Sequence, residues 1–168
     1  MPIAEYLFFP LVILFIFFAF RRGRGVPWAP TSRRLVHTML RMAEVCSGDL
    51  VYDLGCGDGR LLIAAARRYG ARAVGYEVNP VRYLWCQLLI SILGLRDCVR
   101  VVCDDFFNQD LSDADVVTCY LLQRTNDKLE SKLKKELRPG TRVVSNTFTF
   151  PGLNKIREDG DIRLYLSP

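Results

Sequence analysis

The chain has 168 residues, half of them hydrophobic and 24% charged, with a net charge of +5. That length suits one domain with its own core, and twelve Gly and eight Pro exclude a collagen-like or wholly disordered chain. The basic excess is too small to mark a nucleic-acid protein by itself.

The N-terminus is segregated. From Tyr6 to Phe20 no residue is charged, and twelve of these fifteen are Leu, Ile, Val or Phe. No acid follows until Glu44, while six arginines do: Arg21, Arg22, Arg24, Arg33, Arg34 and Arg41. An apolar rod with a basic collar predicts one transmembrane helix over residues 3–20, its arginines and residues 21–168 held on the cytoplasmic (or matrix) side. As a helix, Ile3 to Phe20 would reach about 27 Å, close to a bilayer's hydrocarbon thickness. A cleaved signal peptide needs positive charge before the apolar run and small residues after it, the reverse of what Glu5 and Arg21-Arg22 provide. A buried core helix is the other alternative.

Three segments follow: an anchor (1–20), a basic Gly/Pro linker (21–31) and a folded domain (32–168). Ser32 is expected to cap a helix burying Leu35, Val36, Met39, Leu40 and Ala43, ended by Ser47-Gly48. Strand Leu50–Leu54, helix Leu61–Tyr69 and strand Ala71–Tyr76 come next. Asn79-Pro80 then starts a helix that runs to about Leu93 and stops at Gly94. Strands are expected at Val99–Cys103 and Asp115–Leu121. Leu129, Leu133 and Leu137 recur on a helix supported by Glu130 and Lys134, which Pro139-Gly140 ends. A long strand Thr141–Phe150 precedes a hairpin whose arms, 156–158 and 162–166, flank the turn Asp159-Gly160. Alternating strands and helices predict an α/β fold with a doubly wound, mainly parallel sheet and a terminal antiparallel hairpin. The six cysteines form no C-x-x-C pair and His37 is the single histidine, so zinc spacing is absent and no metal is expected. Most of them sit in apolar runs, as buried thiols of a reducing compartment do, although the even count leaves a disulfide framework open.

The most informative segment is Asp53-Leu54-Gly55-Cys56-Gly57-Asp58-Gly59-Arg60, between a strand and a helix. Its glycine spacing is one residue short of the dinucleotide fingerprint, which makes a nicotinamide dehydrogenase the weakest reading. A carboxylate at Asp53 would repel a pyrophosphate but suits the charged amino group of S-adenosylmethionine. Glu77, at the end of the next strand, can accept ribose hydroxyls, and Asp104 or Asp105, closing the third, can receive the adenine amino group, Asp105 being favoured. The expected cofactor residues are therefore Asp53, Gly55, Cys56, Gly57, Asp58, Glu77, Asp104 and Asp105.

On these residues, with Gly75-Tyr-Glu-Val-Asn-Pro80, Leu137-Arg-Pro-Gly-Thr-Arg-Val-Val-Ser145, Val26-Pro-Trp-Ala-Pro-Thr31 and Val116-Val-Thr-Cys-Tyr-Leu-Leu122, the chain resembles the class I, seven-stranded, Rossmann-like methyltransferases that use S-adenosylmethionine. Within them it is similar to the protein-lysine methyltransferases of archaea and of mitochondria over about residues 26–150. The mitochondrial branch also has an apolar N-terminal segment, and its target is a membrane component of ATP synthase. The resemblance implies S-adenosylmethionine as cofactor and a membrane or membrane-proximal protein as partner. Asn146 stands where such relatives often carry histidine. Tyr120 is a candidate substrate-side residue, or else a core aromatic; Thr118 and Asn146 are weaker candidates. The N/D-P-P-Y/F block used on base amines is missing at 118–121, and the arginine collar lacks interleaved aromatics, so a nucleic-acid substrate is not expected. Two rivals remain: methylation of a lipid, quinone or other small molecule, and a non-catalytic cofactor-binding scaffold.

Overall fold

The computed structural model describes residues 30–168. The expected anchor and all of the expected linker except Pro30 and Thr31 lie outside the described residues. No helix among the described residues is long and apolar enough to cross a membrane.

Helix α1 (Arg33–Met42) starts where Ser32 Oγ accepts a hydrogen bond from the Leu35 N–H at 3.3 Å, and it buries Val36, Met39 and Leu40. It ends five residues before Ser47. The Val45 N–H reaches back to the Leu40 carbonyl at 3.1 Å while Glu44 takes the left-handed backbone (φ 51°), a C-cap that usually carries glycine and is invisible when the residue is Glu. The Arg142 guanidinium also donates to the Ala43 carbonyl at 2.8 Å, closing the helix end from across the fold.

Strand β1 (Leu50–Leu54), helix α2 (Arg60–Tyr69), strand β2 (Arg72–Tyr76), helix α3 (Pro80–Ile92) and strand β3 (Val99–Val102) follow as expected, to within a residue or two at each end. Asn79 caps α3 by accepting from the Val81 and Arg82 N–H groups, with Pro80 in the first turn. A single 3₁₀ turn (Phe106–Asn108) leads to β4 (Val116–Cys119), shorter at both ends than expected, and α4 (Gln123–Glu136). On α4, Leu129 and Leu133 are fully buried and the Lys134–Glu130 pair closes at 2.8 Å.

Strand β5 (Arg142–Asn146) corrects the expected strand to Phe150. The chain turns at Thr147 (φ 66°), and Ser145 Oγ–H donates to the Phe148 carbonyl at 2.6 Å, so a side chain satisfies a group that a strand would have paired. Strands β6 (Asn154–Asp159) and β7 (Ile162–Leu166) form the hairpin. Asp159 pairs with Ile162, so the turn is Gly160-Asp161, one residue later than expected, which puts the positive φ (57°) of Gly160 at the first turn position. Every residue of β6 is exposed, and Lys155, Arg157 and Glu158 blunt this open edge.

The seven strands run in the order β3-β2-β1-β4-β5-β7-β6, parallel except that β7 is antiparallel to both neighbours. The core residues of α1, α2 and α3 pack in one cluster, and those of α4 pack in the other. The chain reverses direction across the sheet between β1 and β4, and a crevice opens at the carboxyl ends of those strands.

Gly75 on β2 lets α2 and the turn after β1 press against the sheet. A Cβ there would lie 2.5 Å from Leu62 Cδ1 and 2.6 Å from Cys56 Sγ. Gly75→Ala is therefore expected to destabilise the protein by about 1–3 kcal/mol, the usual penalty of overpacking, as read from the urea midpoint.

Candidate active site

The site begins at the turn between β1 and α2. Gly55, Gly57 and Gly59 all take positive φ (84°, 57° and 75°), which side chains other than glycine adopt only with strain. The Gly55 and Cys56 N–H groups both donate to the Tyr76 carbonyl, at 2.9 and 3.0 Å. The Gly57 N–H donates to Glu77 Oε2 at 3.0 Å. The turn is thus tied to the end of β2 by backbone and by a buried carboxylate. Cys56 contributes backbone to the cleft, but its side chain belongs to the core, where a hydrogen bond with Cys86 and then burial push its thiol pKa up.

The carboxylates are held differently. Asp53 is buried at the end of β1 and accepts a 2.8 Å hydrogen bond from Thr118 Oγ1 on β4. No cation among the described residues pairs with it, and burial, joined by the charges of Asp58 and Glu77, pushes its pKa from 3.8 to about 7. Glu77 accepts from the Gly57 and Asn79 N–H groups, the latter at 2.8 Å, and Arg82 lies 3.6 Å away. Asp58 is paired with the Arg60 guanidinium, which also donates to the Thr31 carbonyl at 2.7 Å. Among these three acids, Asp53 is the one without a cationic partner.

Asp53, Gly55, Cys56, Gly57, Asp58 and Tyr120 line one cleft, closed on another side by Thr31, Val36 and Met39 from the N-terminal part of the domain. Glu77 joins them through Gly57. Asp104 and Asp105 are not in this cleft. They sit at the end of β3, where Asp104 accepts from the Gln109 side chain at 2.7 Å and the exposed Asp105 caps the 3₁₀ turn by accepting from the Phe107 N–H at 3.0 Å. Asp104 spends both oxygens locally, its Oδ1 accepting from the Asp105 N–H at 2.7 Å and the Asn108 side chain at 3.3 Å, whereas Asp105 spends one.

On the substrate side, Tyr120 is half-buried and stacks on Phe148, with ring centroids 6.5 Å apart and planes at 26°. Gln123 holds the Phe148 loop from α4, accepting from the Thr149 N–H and donating to the Thr149 carbonyl, both at 3.0 Å. Thr118 is buried and turned to Asp53, so it orients that carboxylate instead of facing an acceptor. Asn146 is buried at the end of β5. Cys119, which also lines the cleft, has its thiol pushed up to about 12 by burial. Phe148 was not expected from sequence, where it lay inside a supposed strand and had no motif of its own. The Arg60–Asp58 clamp was equally hidden, since an i, i+2 charge pair carries no pattern on a helix.

A family model described as an ANTKMT methyltransferase domain matches residues 53–157. A protein-lysine N-methyltransferase of Saccharolobus islandicus is 45% identical over 77% of this chain and 81% of its own. The adenine nucleotide translocase lysine N-methyltransferase of Mus musculus is 36% identical over 75% of this chain, which spans 55% of that relative's length. Among solved structures, an RNA methyltransferase from Salinibacter ruber in complex with S-adenosyl-L-homocysteine superposes with a TM-score of 0.78 at 39% identity, covering 83% of this chain and 94% of that one.

Proposed function

The chain belongs to the ANTKMT methyltransferase domain family, and from that membership we propose that it is a protein-lysine N-methyltransferase using S-adenosylmethionine. The observation that carries the cofactor assignment is the buried Asp53 carboxylate, which has no cationic partner among the described residues and lines an open cleft. The methionine end of the cofactor brings an ammonium group and a sulfonium, and either would offset the desolvation of that carboxylate. A pyrophosphate would instead meet two buried acids, Asp53 and Glu77.

In this reading Asp53 and the turn from Gly55 to Asp58 hold the amino-acid end, Glu77 faces the ribose, and Asp105 or Asp104 faces the adenine. When bound, the cofactor supplies an electrophilic methyl group. The chain's own work is positioning. Tyr120 and Phe148 wall the approach, exclude water and offer ring faces to an incoming ammonium, while desolvation favours the neutral amine that can attack. Residues 3–20 are the proposed membrane anchor, supported by their uninterrupted apolar character and the arginines after them. In this reading the domain sits at a cytoplasmic or matrix membrane surface with a membrane-proximal acceptor.

The test is to incubate the full chain with methyl-labelled S-adenosylmethionine and the membranes, extracted lipid and RNA of its source cells. Label recovered as methyl-lysine after protein hydrolysis is the expected result. Label confined to lipid or to RNA would overturn the lysine assignment. Phe148→Ala is expected to lower kcat/KM toward the protein acceptor roughly tenfold, the worth of one partly desolvated cation–π contact, with cofactor affinity unchanged in calorimetry.

A further inference from the structure

Helix α3 is apolar on both sides. Its inner face sends Cys86 and Ile90 into the core, fully buried. Its outer face carries Leu84, Trp85, Leu88 and Ile92, which are 64%, 48%, 50% and 69% exposed. Leu84, Leu88 and Ile92 recur every fourth residue, so they form one stripe along the helix with Trp85 beside it. Large aliphatic side chains in a contiguous exposed row mark an interaction surface.

The helices of its layer carry charge of one sign, with the exposed acids Glu44 and Asp97 lying past the ends of α1 and α3. Helices α1, α2 and α3, which pack in one layer, contain seven arginines and no acid. Arg33, Arg34, Arg41, Arg67 and Arg68 of that set are exposed. Helix α4, packed in the other core cluster, is mixed, with Asp127, Glu130 and Glu136 among its lysines. Three acid-free, arginine-bearing helices with an exposed Leu/Ile/Trp stripe have the composition of a surface that lies in the head-group region of an anionic membrane. We propose that the α1–α3 layer docks on anionic lipid, with the α3 stripe inserted among the head groups and the arginines on the phosphates. Two copies facing each other through this layer would bring like charges together. Nucleic acid would find three aliphatic side chains and one aromatic, Trp85, where bases need a series of stacking partners. The docking is a second membrane contact, separate from residues 3–20 and independent of which acceptor is methylated.

The chain has two tryptophans, so Trp28→Phe in the full chain leaves Trp85 as the sole reporter. The variant is mixed with phosphatidylcholine vesicles with and without phosphatidylglycerol, in versions carrying brominated acyl chains. The expected result is a blue shift of Trp85 emission and quenching by the brominated lipid, stronger with phosphatidylglycerol and lost on adding Leu88→Glu, a change on an exposed face that leaves cofactor binding intact. Sedimentation with vesicles but unchanged Trp85 emission would overturn the docking and leave the anchor standing. Failure to sediment at all would overturn both. A shift that grows with protein concentration in lipid-free buffer, or that RNA produces and vesicles do not, would overturn it in favour of self-association or nucleic acid. Methyl transfer enters none of these readouts, so the lysine assignment stands or falls separately.

Discussion

Asn in place of Asp53 is expected to stabilise the cofactor-free protein and to remove most of its hold on S-adenosylmethionine. The folded-state pKa of Asp53, about 7, lies above the ordinary 3.8. Between these values the folded protein binds a proton that the unfolded chain does not, so stability falls as pH rises from about 4 to about 7 and stays low above that. A shift of about three units corresponds to roughly 4 kcal/mol at most, so a gain of about 2–4 kcal/mol is expected for Asp53→Asn at pH 8. Near pH 4 the gain should vanish, because the wild-type side chain is then neutral as well. The amide keeps the shape and can still accept from Thr118 Oγ1. It cannot meet a cationic ligand with a charge, so cofactor affinity should drop by about a hundredfold or more, the scale of a partly buried charge pair. Chemical denaturation at pH 4 and pH 8 with calorimetric titration of the cofactor checks both halves. An Asp53→Asn protein that binds cofactor as tightly as wild type would end the assignment of this carboxylate.

Glu77→Gln should act with the opposite sign on the cofactor-free protein. Both oxygens of the carboxylate accept from backbone N–H groups, at 3.0 Å from Gly57 and 2.8 Å from Asn79, and Arg82 lies at 3.6 Å. A glutamine has one acceptor oxygen. Its amino group must face one of the two N–H donors, and the guanidinium loses a neighbouring charge. Losing one charge-assisted hydrogen bond and part of a buried ion pair costs about 3 kcal/mol. The Gly57 turn is then freed from the end of β2, so cofactor affinity should fall too. Thermal denaturation with and without S-adenosylmethionine reads both effects. Two neighbouring acids would thus weaken cofactor binding alike while moving intrinsic stability in opposite directions, which a merely destabilising pair of mutations would not do.

The reason for the difference lies in what each acid meets. Glu77 ends β2 and finds donors already waiting: the open N–H of a glycine turn and the N–H that precedes α3. Asp53 lies near the end of β1, one strand over, and among the described residues finds a single hydroxyl. An acid that the fold satisfies supports structure first. An acid that the fold leaves uncompensated is held ready for a ligand, at a standing cost in stability.

Much of this was readable along the chain. Alternation of apolar strands with amphipathic helices, the Asn79-Pro80 helix start and the Gly55–Gly59 spacing are local signals, because backbone sterics and nearest-neighbour hydrogen bonds decide them within a few residues. They were enough to yield a doubly wound sheet and to point to Asp53, the glycine turn and Glu77. The ends of α1 and β5 were not readable, because each is set by a partner distant in sequence or by an unusual backbone: Arg142 on the Ala43 carbonyl, Glu44 and Thr147 at positive φ. Tertiary structure alone decided that Thr118 serves Asp53, that Phe148 faces Tyr120, and that among the described residues Asp53 has no cation while Asp58 has one. The exposure of the α3 stripe belongs with these, since a helix apolar all round reads as buried until the sheet's edge leaves one side uncovered. Contacts between strand ends depend on sheet order and register, and residues sixty-five apart, as Asp53 and Thr118 are, carry no mark of each other in the order of the chain.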